Sequence, residues 1–113
     1  MLIVEDEFLI RMGAVDIARR AGHETLEAAN ADEAIRILES RNDIEIVLSD
    51  VQMPGTMDGV RLLQVIRDRW PPIRLILTSG KVLTEVANLP KGSVFLPKPY
   101  NYEELSEAFA KAA

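Results

Sequence analysis

Short apolar runs alternate with amphipathic stretches along the whole chain. The runs are Leu2-Ile3-Val4, Ile46-Val47-Leu48, Leu75-Ile76-Leu77 and Val94-Phe95-Leu96. Runs of this length between helical patterns read as strands buried on both faces, as in a parallel sheet. The pattern predicts strands at 2–5, 24–28, 44–49, 73–78 and 93–96. Helices are expected at 7–21, stopping at Gly22, and at 58–70, closed by Pro71-Pro72. Asn30 with Glu33, and Asn101 with Glu104, have the spacing of a helix N-cap and its capping-box partner. They open helices running to Ser40 and to the C-terminus. The stretch 81–92 gives only a short or irregular fourth helix of the series. Val82, Leu83 and Val86 share a face there, but Asn88, Pro90 and Gly92 interrupt it.

Strand and helix in alternation, with short connections, imply an α/β fold with helices on both faces of the sheet. The second strand (Glu24-Thr25-Leu26-Glu27) is polar and belongs at an edge. So does the fifth, where Pro97 removes a ladder donor. The more apolar first and third strands then lie inside. This selects a flavodoxin-like doubly wound parallel sheet of order 2-1-3-4-5, whose switch point falls between strands one and three.

The chain of 113 residues is long enough for one domain and one core, so residues 1–113 read as a single unit. The net charge of −5 argues against direct nucleic-acid binding, which depends on neutralising phosphates with Lys and Arg. Without cysteine there is no disulfide framework, thiol nucleophile or thiolate metal site. Neither a membrane-length apolar run nor a signal-peptide pattern is present, so no membrane partner is expected and a cytoplasmic location is.

The chemistry sits where the runs end. Glu5 and Asp6 follow the first, Asp50 the third, Thr78 the fourth and Lys98 the fifth. Ligand sites of such sheets lie beyond the carboxyl ends of the strands. Taken singly, an acid at a strand end is usually a solvated loop residue, but here three acids converge on one rim with a hydroxyl and an ammonium group. Two carboxylates about 4 Å apart repel by roughly 4 kcal/mol at an effective dielectric of 20. The cluster must therefore take up a proton or hold a cation. All-oxygen donors favour a hard ion, Mg²⁺ or a similar cation such as Mn²⁺. Cation, ammonium and hydroxyl together suit a phosphoryl group, with Asp50 as its acceptor.

These residues, with Met53-Pro54 after Asp50, Met57-Asp58-Gly59 opening the next helix, and Lys98-Pro99, closely resemble the receiver domain of bacterial two-component response regulators. The resemblance spans the whole chain. It implies that Asp50 accepts a phosphoryl group from a sensor histidine kinase or a histidine phosphotransfer protein, and that a conformational switch follows. Asp6, Asp50 and the backbone carbonyl of Gln52 would hold the metal, with Glu5 acting through water. Lys98 would pair with Asp50 and its phosphate, Thr78 would move toward the phosphate, and Phe95 would occupy the aromatic switch position. The bond before Pro99 would be cis, and Gln52 and Gly80 would govern the lifetime of the acyl phosphate. The chain departs from the family in four places: the first strand starts almost at Met1, one extra residue lies in the loop 53–57, Ser79-Gly80 follow Thr78, and the stretch 81–92 is a poor helix.

The first helix carries two apolar stripes. Ile10, Ala14, Ile17 and Ala21, broadened by Gly13 and Ala18, suit packing against the sheet. Phe8, Met12 and Val15, bordered by Arg11 and Arg19, form the second, and Phe8, Arg11, Met12 and Val15 are read as a kinase-docking patch. Packing against a neighbouring element is the plainer alternative. His23 reads as a surface residue, Trp70 as packing at the end of the third helix, and Tyr100 and Tyr102 as anchors of the last loop. The expected function is a signalling module and not an enzyme. The alternative is an aspartate-nucleophile phosphohydrolase, which would need an acid where Gln52 stands. Whether the receiver stands alone or is tethered to an output domain, which downstream protein it meets, and whether it forms a homodimer are open from the sequence.

Overall fold

The computed structural model describes residues 1–51, 59–80, 90 and 92–112. In chain order the elements are β1 (Leu2–Val4), α1 (Phe8–Arg20), β2 (Leu26–Ala28), α2 (Ala31–Ser40), β3 (Ile46–Asp50), α3 (Gly59–Arg69), β4 (Arg74–Ser79), β5 (Val94–Pro97) and α4 (Tyr102–Ala112). The sheet is parallel throughout, in the order β2-β1-β3-β4-β5. The order follows from the side chains: the fully buried Leu75, Ile76 and Leu77 and the buried β1 and β3 need neighbours on both sides, while Glu27 and Pro97 do not.

Strand alternation divides the core in two. Leu2, Val4, Val47, Leu75 and Leu77 face α2 and α3, where Leu38, Leu62, Leu63 and Ile66 meet them. Ile3, Ile46, Leu48, Ile76 and Leu96 face α1 and α4, against Ala14, Ala18, Leu105 and Phe109. Burying a Leu or Ile side chain in this way contributes about 1.5–3 kcal/mol relative to leaving it exposed.

Helix ends match the sequence signals closely. The Asn30 side chain accepts from Glu33 N at 2.9 Å, while Glu33 reaches Ala29 N at 2.8 Å. Asn101 and Glu104 cap reciprocally at 2.8 and 3.2 Å. At the end of α1, Gly22 has φ +91° and donates to Arg19 O, and His23 N donates to Ala18 O. That pair of bonds is a Schellman motif, which requires the left-handed residue that glycine supplies.

Several boundaries differ from the sequence expectation. The expected strand 24–28 is ordered as a strand only over Leu26–Ala28, because β1 offers it three partners. The third strand begins at Ile46 and runs on to Asp50, which pairs with Thr78 because β4 extends as far as Ser79. On α1 the buried residues are Ala14, Val15 and Ala18. The sheet-facing stripe is thus narrower than expected: Ile10 and Ile17 are only half-buried, and Gly13 and Ala21 are exposed. Most of the helix expected over 81–92, namely residues 81–89 and 91, lies outside those described, as do Gln52 and residues 53–57.

Candidate functional site

Each acid is placed by the element that precedes it. β1 ends at Val4, so Glu5 lies at the rim; its N–H still closes the ladder on Ala28 O at 3.0 Å. Asp6 follows in the turn to α1 and is exposed. Asp50 is the last residue of β3, the central strand. Its carbonyl takes the Ser49 hydroxyl at 3.1 Å, and Val51 N continues the pairing to Thr78 O at 2.9 Å. Behind it, Gly59 N donates to Val51 O at 2.9 Å, so α3 starts directly against the end of β3. A Cβ on Gly59 would overlap the carbonyl oxygen of Asp50. Only glycine permits that approach.

Glu5 and Asp50 are almost completely buried, at 4% and 7% exposure. One carboxylate oxygen from each of Glu5, Asp6 and Asp50 can be chosen so that all three lie within 4.8 Å of one another. Lys98 approaches from the end of β5. Its N–H donates to Ser79 O at 2.8 Å, fixing the backbone, and its Nζ lies 2.6 Å from Glu5 Oε1 and 3.0 Å from Asp50 Oδ2. The Lys98–Pro99 peptide bond is cis.

Burial dominates the titration of Glu5. It raises the Glu5 carboxyl to about 7, assisted by the Asp50 charge and opposed by the hydrogen bonds from Lys98 and Glu7 N. Burial also works against the charge of Lys98, but the bonds to Glu5 and Asp50 outweigh it and hold the ammonium above its usual range. Tyr100, beside Lys98, is raised by burial. Among the described residues three carboxyl groups meet the single ammonium of Lys98, which leaves the cluster short of positive charge. Its oxygen donors and spacing fit a hard divalent cation.

The remaining predicted residues are placed as follows. Thr78 is buried beside Asp50 in register. Phe95 is half-buried on β5, against the core that α2 and α3 cover. Gly80 is exposed, and a Cβ added there would meet nothing within 4 Å among the described residues. Phe8 and Met12 are exposed at 60% and 47%, but Val15 is buried at 4%. Val15 does not belong to a docking patch: one turn further along α1 the helix already lies over the sheet, and Val15 packs into the α1–α4 core. The apolar residue that joins Phe8 and Met12 is Leu9, the most exposed large hydrophobic described, at 82%. On the other side of α1, an apolar hollow of about 280 Å³ lies between Ile10, Gly13, Ala14 and Ile17 and the Lys98-Pro99-Tyr100 segment.

Two relationships escaped the sequence. Lys98 bonds Glu5 more closely than it bonds Asp50. Arg11 turns inward, donating to Glu5 O at 2.8 Å and to Glu27 Oε1 at 3.1 Å. An acid at the centre of a polar edge strand was the available signal for the second.

Comparison with known proteins points one way. The family model for the response regulator receiver domain matches residues 1–110. The sensor kinase CckA of Brucella abortus (strain 2308) is 41% identical over 110 residues, covering 94% of this chain and 12% of that protein. The response regulator protein FleR of Pseudomonas aeruginosa is 35% identical over 116 residues, covering 100% of this chain and 24% of that protein. The chain thus spans a quarter or less of the length of these two relatives. Among solved structures, the receiver domain of NtrX from Brucella abortus superposes with a TM-score of 0.89 at 30% identity, covering 98% of this chain and 95% of that one.

Proposed function

The chain belongs to the response regulator receiver domain family, and from that premise we propose that Asp50 accepts a phosphoryl group from the phosphohistidine of a sensor histidine kinase or histidine phosphotransfer protein. The single observation that carries this reading is Lys98 Nζ held between Glu5 and Asp50, at the edge of a three-carboxylate cluster. Residues 1–113 then act as one signalling domain, which relays the phosphoryl group's arrival to a downstream protein or a tethered output domain.

In the transfer, an Asp50 carboxylate oxygen attacks phosphorus and the phosphorus–nitrogen bond to the donor imidazole breaks. The bonding pair returns to the ring nitrogen. Lys98 is positioned to neutralise charge on Asp50 and on the phosphoryl oxygens. Asp6 and Asp50, with the Gln52 carbonyl and with Glu5 through water, would hold Mg²⁺ or Mn²⁺. Such an ion supplies the positive charge that lets an anionic donor approach a site with three carboxylates and one ammonium. Burial of Asp50 keeps its position fixed while the donor is oriented.

The acyl phosphate formed on Asp50 adds negative charge beside Thr78, its partner across β3 and β4. Thr78 moves toward the phosphate to donate its hydroxyl, and Phe95 on β5 changes place as the aromatic switch. That exchange couples the site to the β4–β5 side of the sheet. The open flank at Gly80 gives water access to the phosphate, so Gly80 and Gln52 set its lifetime.

The kinase engages the exposed Phe8-Leu9-Met12 surface at the start of α1, beside the acidic rim. Flexible methionine and exposed aromatic and aliphatic groups suit a transient helical interface. Incubation with a small acyl-phosphate donor and Mg²⁺ tests the reading. One phosphoryl group is expected per chain, and none in Asp50→Asn or in excess chelator; undiminished labelling of Asp50→Asn would refute it.

A further inference from the structure

We propose that Arg11 is a positioning residue for the metal-binding turn: its guanidinium grips the Glu5 carbonyl and the Glu27 carboxylate together, and so fixes the backbone that presents Glu5 and Asp6. The inference rests on the reading of Glu5, Asp6 and Asp50 as the cation site.

The turn from β1 to α1 has only three residues, Glu5, Asp6 and Glu7, and the place of the Asp6 carboxylate depends on the backbone on both sides of it. On the strand side, Glu5 N–H is held by Ala28 O, but Glu5 C=O lies past the last paired residue of β1. Arg11 Nη1 donates to that oxygen at 2.8 Å. On the helix side, Glu7 N donates to the Glu5 carboxylate at 3.2 Å, and Glu7 O accepts from Arg11 N at 2.9 Å. Arg11 therefore holds both ends of the turn, through its side chain and through its own N–H.

The guanidinium is itself anchored. Its Nε donates to Glu27 Oε1 at 3.1 Å. Glu27 is the middle residue of β2, in register with Ile3. The Phe8 ring lies 5.6 Å from the guanidinium carbon, and the Arg11 side chain is largely shielded from water. A planar group with donors at fixed angles can satisfy a carbonyl and a carboxylate at once; an ammonium on a flexible stem cannot hold both in one geometry. The polar edge strand thereby gains a purpose, because Glu27 orients the group that orients the turn.

Outer groups that orient metal ligands typically change metal affinity by roughly ten- to a hundredfold when removed. The test is the Mg²⁺ dependence of Asp50 phosphorylation by a small acyl-phosphate donor, which needs no docking surface. Mg²⁺ binding is followed in parallel by calorimetry. Arg11→Ala is expected to raise the Mg²⁺ concentration for half-maximal labelling about tenfold, with a much smaller change in the rate at saturating Mg²⁺. Glu27→Ala should shift it in the same direction by less, since the carbonyl bond survives. Should Arg11→Ala fail to fold, Arg11→Lys decides, and it too should raise the Mg²⁺ concentration for half-maximal labelling. Parental Mg²⁺ half-saturation in a folded Arg11→Ala or Arg11→Lys protein would overturn the inference. So would a defect seen only with a kinase donor, which would make Arg11 a docking residue. A parent chain with no Mg²⁺ binding would instead overturn the reading of the cation site, and the inference with it.

Discussion

Gly59 stands directly behind Asp50. A Cβ at Gly59 would overlap the Asp50 carbonyl oxygen, with the Val51 Cα only 2.9 Å away. The first residue of α3 thus sets how far Asp50 projects from β3. Because the clash is with backbone and not with a flexible side chain, Gly59→Ala must move either the strand end or the helix start. The expected cost is about 1–3 kcal/mol of stability, typical of overpacking. It should come with slower labelling of Asp50. Denaturant unfolding and small-donor phosphorylation, compared on the same preparation, check both.

Lys98 bridges Glu5 and Asp50, and removing it leaves two nearly buried carboxylates facing one another. Lys98→Met should therefore destabilise the metal-free protein by about 1–3 kcal/mol, a value reduced from that of a fully enclosed pair because Lys98 keeps some solvent contact. Mg²⁺ should restore more stability to the variant than to the parent, since binding to the folded state alone stabilises by mass action. Thermal melts with and without Mg²⁺ decide the matter. Equal Mg²⁺ effects in the two proteins would contradict the shared electrostatic site.

Glu5 gives the site a pH dependence with a definite sign. Burial raises its carboxyl from 4.5 to about 7. Between those values the folded protein holds the proton more tightly than the unfolded chain does. Stability in chelator should therefore fall as pH rises through this window and level off above it. Glu5→Gln, which cannot ionise, should flatten that fall. Urea midpoints measured from pH 5 to 8 test it, and identical slopes in parent and variant would remove Glu5 as the source.

The docking surface separates by donor. Met12→Glu and Leu9→Glu should reduce transfer from a histidine kinase roughly tenfold, equivalent to about 1.4 kcal/mol of interface free energy. Labelling by a small donor should be unchanged, because both side chains are exposed and neither belongs to the carboxylate–lysine cluster. Val15→Glu should instead destabilise the fold, since Val15 packs in the α1–α4 core. Equal losses with both donors for Met12→Glu would make the patch structural.

The sheet order was legible because each strand announces its place: uninterrupted apolar residues in β1, β3 and β4, and Glu27 and Pro97 at the edges. The site was legible for the same reason, since every residue it uses lies within two positions of the end of an apolar run. What the sequence could not convey is reach. Lys98 meets Glu5 across 93 positions at 2.6 Å, and only the folded geometry sets that distance below the one to Asp50. Helical periodicity placed Val15 with Phe8 and Met12, yet where α1 passes from the rim to the sheet depends on packing with α4. Arg11 read as a flank of the patch because nothing local distinguishes a solvated arginine from one bound to a carbonyl six residues back and an acid on the edge strand.

The most direct test of the central claim is to locate the phosphoryl group. The protein is labelled with a small acyl-phosphate donor in Mg²⁺, reduced with borohydride to convert any aspartyl phosphate to homoserine, digested, and mapped by peptide mass spectrometry. Homoserine at Asp50 alone, absent when Mg²⁺ is chelated, is the predicted result. Modification at Glu5, Asp6 or His23, or at Asp50 without regard to Mg²⁺, would contradict it.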